Sequence, residues 1–171
     1  MKKVLIIDTS ILCVYLGVPG KETCGSETNN WNKIQVDEKL KKEEKANTTF
    51  ILPLAAIIET GNHIAQAPTK GYEIAKELAN MIKLTAYHQT PWAAFTTQSV
   101  FWDAKNLKQL ADEFPNFASQ GFALGDATIK QIADRYSRLG NQVEILTGDE
   151  SLKSYQPQEP PLIPRRRKSK N

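Results

Sequence analysis

The chain has 171 residues, 40% of them hydrophobic and 24% charged, a profile that fits one globular domain with a sizeable core and excludes a disordered chain. Its formal net charge is +3, yet five basic residues crowd into the last seven positions, so the body is near neutral to slightly acidic and the basic character belongs to a tail. Cys13 and Cys24 are the only cysteines and lack CxxC spacing, which excludes a disulfide framework, a zinc ribbon and a dithiol redox motif.

In chain order, Val4 to Ser10 reads VLIIDTS, an apolar run ending in an acid and two hydroxyls. This is the pattern of a strand buried on both faces whose C-terminal end delivers a carboxylate to the edge where open α/β sheets bind ligands. Met1-Lys2-Lys3 imitates the start of a secretory signal, but Asp8 interrupts the hydrophobic region and no A-x-A-like site follows, so a cytoplasmic protein is expected. Ile11 to Leu16 predicts a short helix with Thr9 or Ser10 as its cap and Cys13 as a small core residue, stopped by Gly17, Pro19 and Gly20. Residues 21 to 32 read as a loop packed down by Trp31. From Lys33 to Asn47 the charges alternate in sign at helical spacing, the signature of a solvated helix.

Thr49 to Leu52 is a second strand, ended by Pro53. Leu54 to Gln66 predicts a helix with Leu54, Ile57, Ile58 and Ile64 apolar, which sets Glu59 beside the buried stripe, where a carboxylate without a partner is costly. A further amphipathic helix runs from Tyr72 to Tyr87, with Ile74, Leu78, Met81 and Ile82 on one face. Residues 88 to 98 show no clear period. Val100 to Phe114 reads as helical, with Pro115 as its stop and 116 to 121 as a connection.

Leu124 to Leu139 is a long helix facing the core through Ile129, Ile132, Ala133 and Tyr136, with Asp126 in its first turn, where the helix dipole favours a negative charge. The strand Val143 to Leu146 and a turn over 148 to 152 complete a domain of residues 1–155. Residues 156–171 form a proline-rich basic tail, extended or disordered, in which Leu162 and Ile163 could add an edge strand. The longest apolar run, Phe50 to Ile58, is far short of the roughly 18 residues of a membrane span. The alternation of strands and helices gives an α/β sandwich around a mostly parallel sheet.

Four acids therefore sit near strand ends or helix starts: Asp8, Glu59, Asp126 and Asp149, the last in VEILTGD. Clustered carboxylates are what hard divalent cations require, and such a centre suits phosphodiester hydrolysis by a metal-activated water, with no protein nucleophile. The ordered set, Asp8 in IIDTS, Glu59 in an apolar helix, Asp126 in GDATI and Asp149 in ILTGDESL, resembles the PIN domain, a Rossmann-like family of metal-dependent nucleases. The matching segments span residues 4 to 153. The resemblance implies a three-layer sandwich, Mg²⁺ or Mn²⁺ bound by Asp8, Glu59, Asp126 and Asp149, and endonucleolytic cleavage of single-stranded RNA. It also implies companion hydroxyls at Thr9 or Ser10 and at Thr147, and, as in many small members of the family, a protein antitoxin or a second copy as partner. Segments 17–48 and 88–120 are longer than a minimal toxin of this kind needs.

Each residue also has a plainer role. Asp8 could serve only as a helix cap, Asp126 as a first-turn acid, and Asp149 as part of a turn, with Glu150 its replacement if the register slips by one. Asp103, Asp112 and Asp134 read as solvated helix acids. His63, four residues after Glu59, fits proton transfer or a supporting surface role. Arg135 and Arg138 could hold an RNA phosphate or stand free. Arg165, Arg166, Arg167 and Lys168 in the tail could bind nucleic acid through counterion release or only solubilise the end. Two rivals remain: a catalytically silent PIN-like module that binds RNA or protein, and an acid-centred phosphatase with Asp8 as nucleophile. The latter would want a second aspartate where Ser10 stands.

Overall fold

A computed structural model describes residues 1–155 and Pro157, so the expectations for the tail, including Arg165, Arg166, Arg167, Lys168 and the Leu162-Ile163 strand, lie outside the described residues. The chain runs β1 (Lys3–Ile7), α1 (Thr9–Leu16), β2 (Thr23–Cys24), β3 (Trp31–Asn32), α2 (Lys33–Lys45), β4 (Thr49–Ile51), α3 (Leu54–Gln66) and α4 (Gly71–Ala86). A 3-10 helix (Phe95–Trp102) then leads to α5 (Ala104–Ser119), α6 (Leu124–Arg138), β5 (Gln142–Leu146) and α7 (Glu150–Ser154). Among the described residues the fold is α/β, built on a three-stranded parallel sheet in the order β4-β1-β5, with β2 and β3 pairing separately as a small antiparallel hairpin.

The central strand β1 is apolar at every position after Lys3 because both of its faces are covered. Side chains alternate across a strand, so Leu5 and Ile7 join Phe50, Leu52 and Leu146 in one core with α1 to α4, while Val4 and Ile6 join Ile51, Val143 and Ile145 in another with α6 and Leu152 of α7. α3 turns Ala56, Thr60 and Ile64 inward and leaves Ile58 54% exposed, so its buried stripe is smaller and rotated from the expected one. Cys13 is a core residue, as expected; burial pushes its thiol up to about 11, only partly offset by the Thr60 hydroxyl, which keeps it unreactive.

α2 departs from the solvated helix expected of its charges. Only Val36 and Leu40 give it a buried apolar side, and it docks on the sheet through ions. Lys3 Nζ lies 2.6 Å from Glu43 Oε1 and 2.7 Å from Glu144 Oε2, while Lys39 Nζ lies 2.8 Å from Glu43 and 2.8 Å from Glu144. Thr48 donates its hydroxyl proton to Glu43 Oε2 at 2.7 Å.

Other expectations change too: the turn expected over 148–152 leads into the helix α7, capped by Asp149, and Asp8 rather than Thr9 or Ser10 caps α1. Residues 21–32 are not all loop, since they carry β2 and β3. The segment read as one helix from Val100 is a 3-10 helix and then α5, divided at Asp103, which caps α5 by accepting from Asn106 N at 2.8 Å and is thus more than a solvated acid. Pro115 does not end α5, which continues to Ser119. A proline removes one hydrogen bond and crowds the preceding turn. Here Phe117 in the following turn is seated edge-on against Phe122 and Tyr155, and that packing offsets the loss.

Burial tends to raise the Glu43 carboxyl, but the hydrogen bonds from Lys3, Lys39 and Thr48 outweigh it and bring it down to about 2. A depressed acid contributes stability above its unfolded pKa and loses it as pH falls through the folded one. Glu43→Gln is therefore expected to lower stability at pH 7 by about 2 kcal/mol, read as a shifted urea midpoint, with the gap to the unsubstituted protein closing between about pH 4.5 and pH 2.

Candidate functional site

Strands β1 and β5 end side by side, with Asp8 N donating to Leu146 O at 3.1 Å. Beyond them the chain parts: α1 enters one core, and α7 enters the other through Leu152. Adjacent parallel strands whose continuations leave to opposite faces open a crevice at their carboxyl ends, the usual ligand position in such sheets. Asp8 and Asp149 stand at that crevice.

Asp8 is 6% exposed and caps α1. Its Oδ2 accepts from Ser10 N at 3.4 Å, from Ser10 Oγ at 2.8 Å and from Thr147 Oγ1 at 2.8 Å. Ser10 Oγ in turn accepts from Gly148 N at 3.0 Å, and Thr147 Oγ1 from Asp149 N at 2.9 Å, so each hydroxyl spends its single proton on Asp8. These bonds all fall on Oδ2, leaving Oδ1 without a donor among the described residues.

Glu59 reaches the same place from α3. Its Oε2 accepts from Thr9 Oγ1 at 2.8 Å, and its Oε1 lies against the start of α6, where a Cβ on Gly125 would stand 3.0 Å away. Asp126, next in sequence, accepts from Ala123 N at 3.0 Å through Oδ2. Burial pushes its carboxyl up to about 6 against the pull of the Ala123 N–H, and the negative charges of Asp8, Asp149 and Glu59 push in the same direction. Asp149 is exposed and caps α7, its Oδ1 accepting from Ser151 N at 2.7 Å and Leu152 N at 3.0 Å.

The charges of Asp8, Glu59 and Asp149, each from a different element, thus act on Asp126. Capping accounts for Asp8 and Asp149 and, in its local bond, for Asp126; it does not account for Glu59, nor for three carboxylates raising a fourth. All four are oxygen donors, the chemistry of a hard-cation site. Among the described residues, however, no three His, Cys, Asp or Glu side chains are drawn together tightly enough to hold an ion. The acids share a field without forming a closed ligand set.

The remaining candidates divide. Thr9, Ser10 and Thr147 all bond the acids directly. His63 is half-buried one turn beyond Glu59 on α3. Glu150 accepts from Ser26 Oγ at 2.8 Å at the edge of the hairpin, while Asp149 caps α7. Arg135 and Arg138 do not join the acids: they follow Asp126 by nine and twelve residues, roughly 13 and 18 Å along the helix at 1.5 Å per residue. Both line a separate cavity of 260 Å³, where the Arg135 guanidinium lies 5.8 Å from the Phe101 ring centre. Asp134 is paired with Lys130 at 2.7 Å.

Sequence reasoning missed the side chains that reach the site from the hairpin. Asn29 Nδ2 donates to Thr147 O at 3.3 Å, and Cys24 lies beside Ser10 and Asp8, its thiol raised by burial and by the Asp8 charge. No local signal announces these contacts, since Asn29 and Thr147 are 118 positions apart.

The raised Asp126 carboxyl has a consequence for the metal-free protein. An acid that holds its proton more tightly when folded penalises the fold as pH rises from its unfolded pKa, near 4, to its folded one, near 6, and the penalty persists above. Asp126→Asn is expected to raise stability at pH 7 by about 1 kcal/mol, discounted for partial exposure, with no gain below pH 4; melting curves across that range in a chelating buffer check it.

Comparison of the chain with protein-family models, with curated proteins and with solved structures finds no match.

Proposed function

We propose that this chain is a PIN-like endoribonuclease that cleaves single-stranded RNA with Mg²⁺ or Mn²⁺, its α/β core a Rossmann-like three-layer sandwich. One observation carries the reading: Asp8 and Asp149 stand at the carboxyl ends of adjacent parallel strands, and Glu59, bonded to Thr9, reaches the first turn of α6 that carries Asp126; the raised carboxyl of Asp126 agrees with it. Like charges gathered at the crevice of a parallel sheet are unfavourable on their own, and a divalent cation removes the repulsion.

The donor set fits a hard cation: four carboxylates, with hydroxyls behind two of them and no thiolate or imidazole required. A bound Mg²⁺ or Mn²⁺ supplies the charge that activates water and stabilises the leaving oxygen. The chain's own part is to hold the carboxylates ready. Ser10 and Thr147 fix the rotamer of Asp8, and Thr9 fixes Glu59 across from the first turn of α6. The acids also repel an RNA phosphate whenever no cation neutralises them, so cleavage requires the metal. Arg165, Arg166, Arg167 and Lys168 are the groups by which the tail would add counterion-release affinity for RNA. The same resemblance puts a protein antitoxin or a second copy among the partners.

A second reading has one observation in its favour. Each of the four acids already has a protein partner and, among the described residues, no three form a closed ligand set, as in a catalytically silent module that binds RNA or protein. Incubation of a labelled single-stranded RNA with the purified protein separates the two. The nuclease reading expects cleavage with Mn²⁺, loss on chelation, and a fall of roughly 100-fold or more in Asp8→Asn and in Asp126→Asn with the fold retained. RNA that is bound but left intact at saturating Mn²⁺ would select the silent module.

A further inference from the structure

We propose that the β2–β3 hairpin clamps the acid site and that Asn29 is a positioning residue that sets where Asp149 stands; this rests on reading the four acids as a cation site. Asn29 is buried, and its one side chain ties three pieces of the molecule together. Its Nδ2 donates to Thr147 O at 3.3 Å, and its Oδ1 accepts from Trp31 Nε1 at 3.1 Å and from Lys153 Nζ at 2.8 Å. Thr147 and Lys153 flank Asp149, one at the end of β5 and the other in α7, so Asn29 holds the turn on both sides of the carboxylate. Ser26 adds a rim contact, donating to Glu150 Oε1 at 2.8 Å.

The packing leaves no slack between hairpin and turn. A Cβ on Gly148 would stand 2.7 Å from Cys24 Sγ and 2.8 Å from Gly25 N, distances that real Cβ atoms do not adopt. A Cβ on Gly25, whose φ is +98°, would fall 1.8 Å from Asn29 O. Glycine at 148 lets the turn meet the hairpin directly, and glycine at 25 lets the hairpin close on its own Asn29 carbonyl. The clamped turn also carries the amides that bond Ser10 Oγ and Thr147 Oγ1, the two hydroxyls that hold Asp8. A shift of the turn therefore reaches Asp149 and Asp8 together.

Asp149 needs an outside hold. It is exposed, and its own side-chain bonds are local to α7, a helix of five residues seated on the core by the single buried side chain of Leu152. The hairpin supplies that hold, which gives part of the long segment 17–48 a role in the site.

The test uses the full chain. Asn29→Asp keeps an oxygen for Trp31 and Lys153 but turns the donor facing Thr147 O into an acceptor. Because small displacements at a reacting centre are magnified in rate, the variant is expected to speed amide exchange at Gly148 and Asp149 about tenfold, weaken Mn²⁺ binding about tenfold, and lower kcat for RNA cleavage by about tenfold or more with KM nearly unchanged. Ser26→Ala, at an exposed position that does not endanger folding, is expected to move exchange and Mn²⁺ affinity the same way by about twofold to threefold. A protein that binds Mn²⁺ with the same affinity and the same exchange rates in both variants overturns the inference alone. An unsubstituted chain that binds no Mn²⁺ overturns the cation site and the inference with it.

Discussion

Two hydroxyl protons, from Ser10 and Thr147, converge on one carboxylate oxygen of Asp8, and the carboxyl edge of the sheet is built around that convergence. A carboxylate as buried as this one stands only if donors replace the water it has lost. Those donors are themselves held, because backbone amides of Gly148 and Asp149 occupy the lone pairs of the two hydroxyls. The result is a closed relay from the end of β1 to the turn after β5. It explains why two strands more than a hundred residues apart in sequence end in register, with hydroxyl side chains at positions 10 and 147.

The two ends of the sheet carry opposite electrostatic designs. Where β1 begins, Lys3, Lys39, Glu43 and Glu144 alternate in sign, each cation touching both acids, and this lattice fastens a helix with little apolar surface. Where β1 ends, four acids stand without a lysine or arginine paired to them among the described residues, and Asp126 has its carboxyl raised by burial first and by the other three charges after it. Among the described residues, charge is thus balanced by ion pairs at one end of the sheet and left unbalanced at the other.

The residues between α4 and α5 extend the same logic to the sheet's margin. Pro91 O accepts from Phe50 N at 2.8 Å and Ala93 N donates to Phe50 O at 2.9 Å, so this segment covers the free edge of β4. Trp92 meets Phe50 edge-on at 5.5 Å. Buried Gln98 donates to Leu52 O at 2.8 Å and accepts from Leu54 N at 3.3 Å, bracketing Pro53 where α3 begins. The helix that carries Glu59 to the crevice is thereby anchored by a stretch that has no sequence period of its own.

Sequence alone determined the buried central strand, the helix opening at Asp126, the terminal strand, and the acids that lie at their ends. Each of these is a local matter: the apolar run of VLII and the spacing of Ile129, Ile132 and Ala133 are written within a few consecutive residues. Only the tertiary structure decided that α2 docks through charge, that α5 passes through Pro115, that Arg135 and Arg138 face a cavity away from the acids, and that Asn29 grips the turn before Asp149. The reason is that these depend on pairs set apart along the chain, Phe117 with Tyr155 and Phe101 with Arg135 as well as Lys39 with Glu144 and Asn29 with Thr147, the last two more than a hundred positions apart, whose attraction has no period in the sequence and exists only once the fold has brought them together.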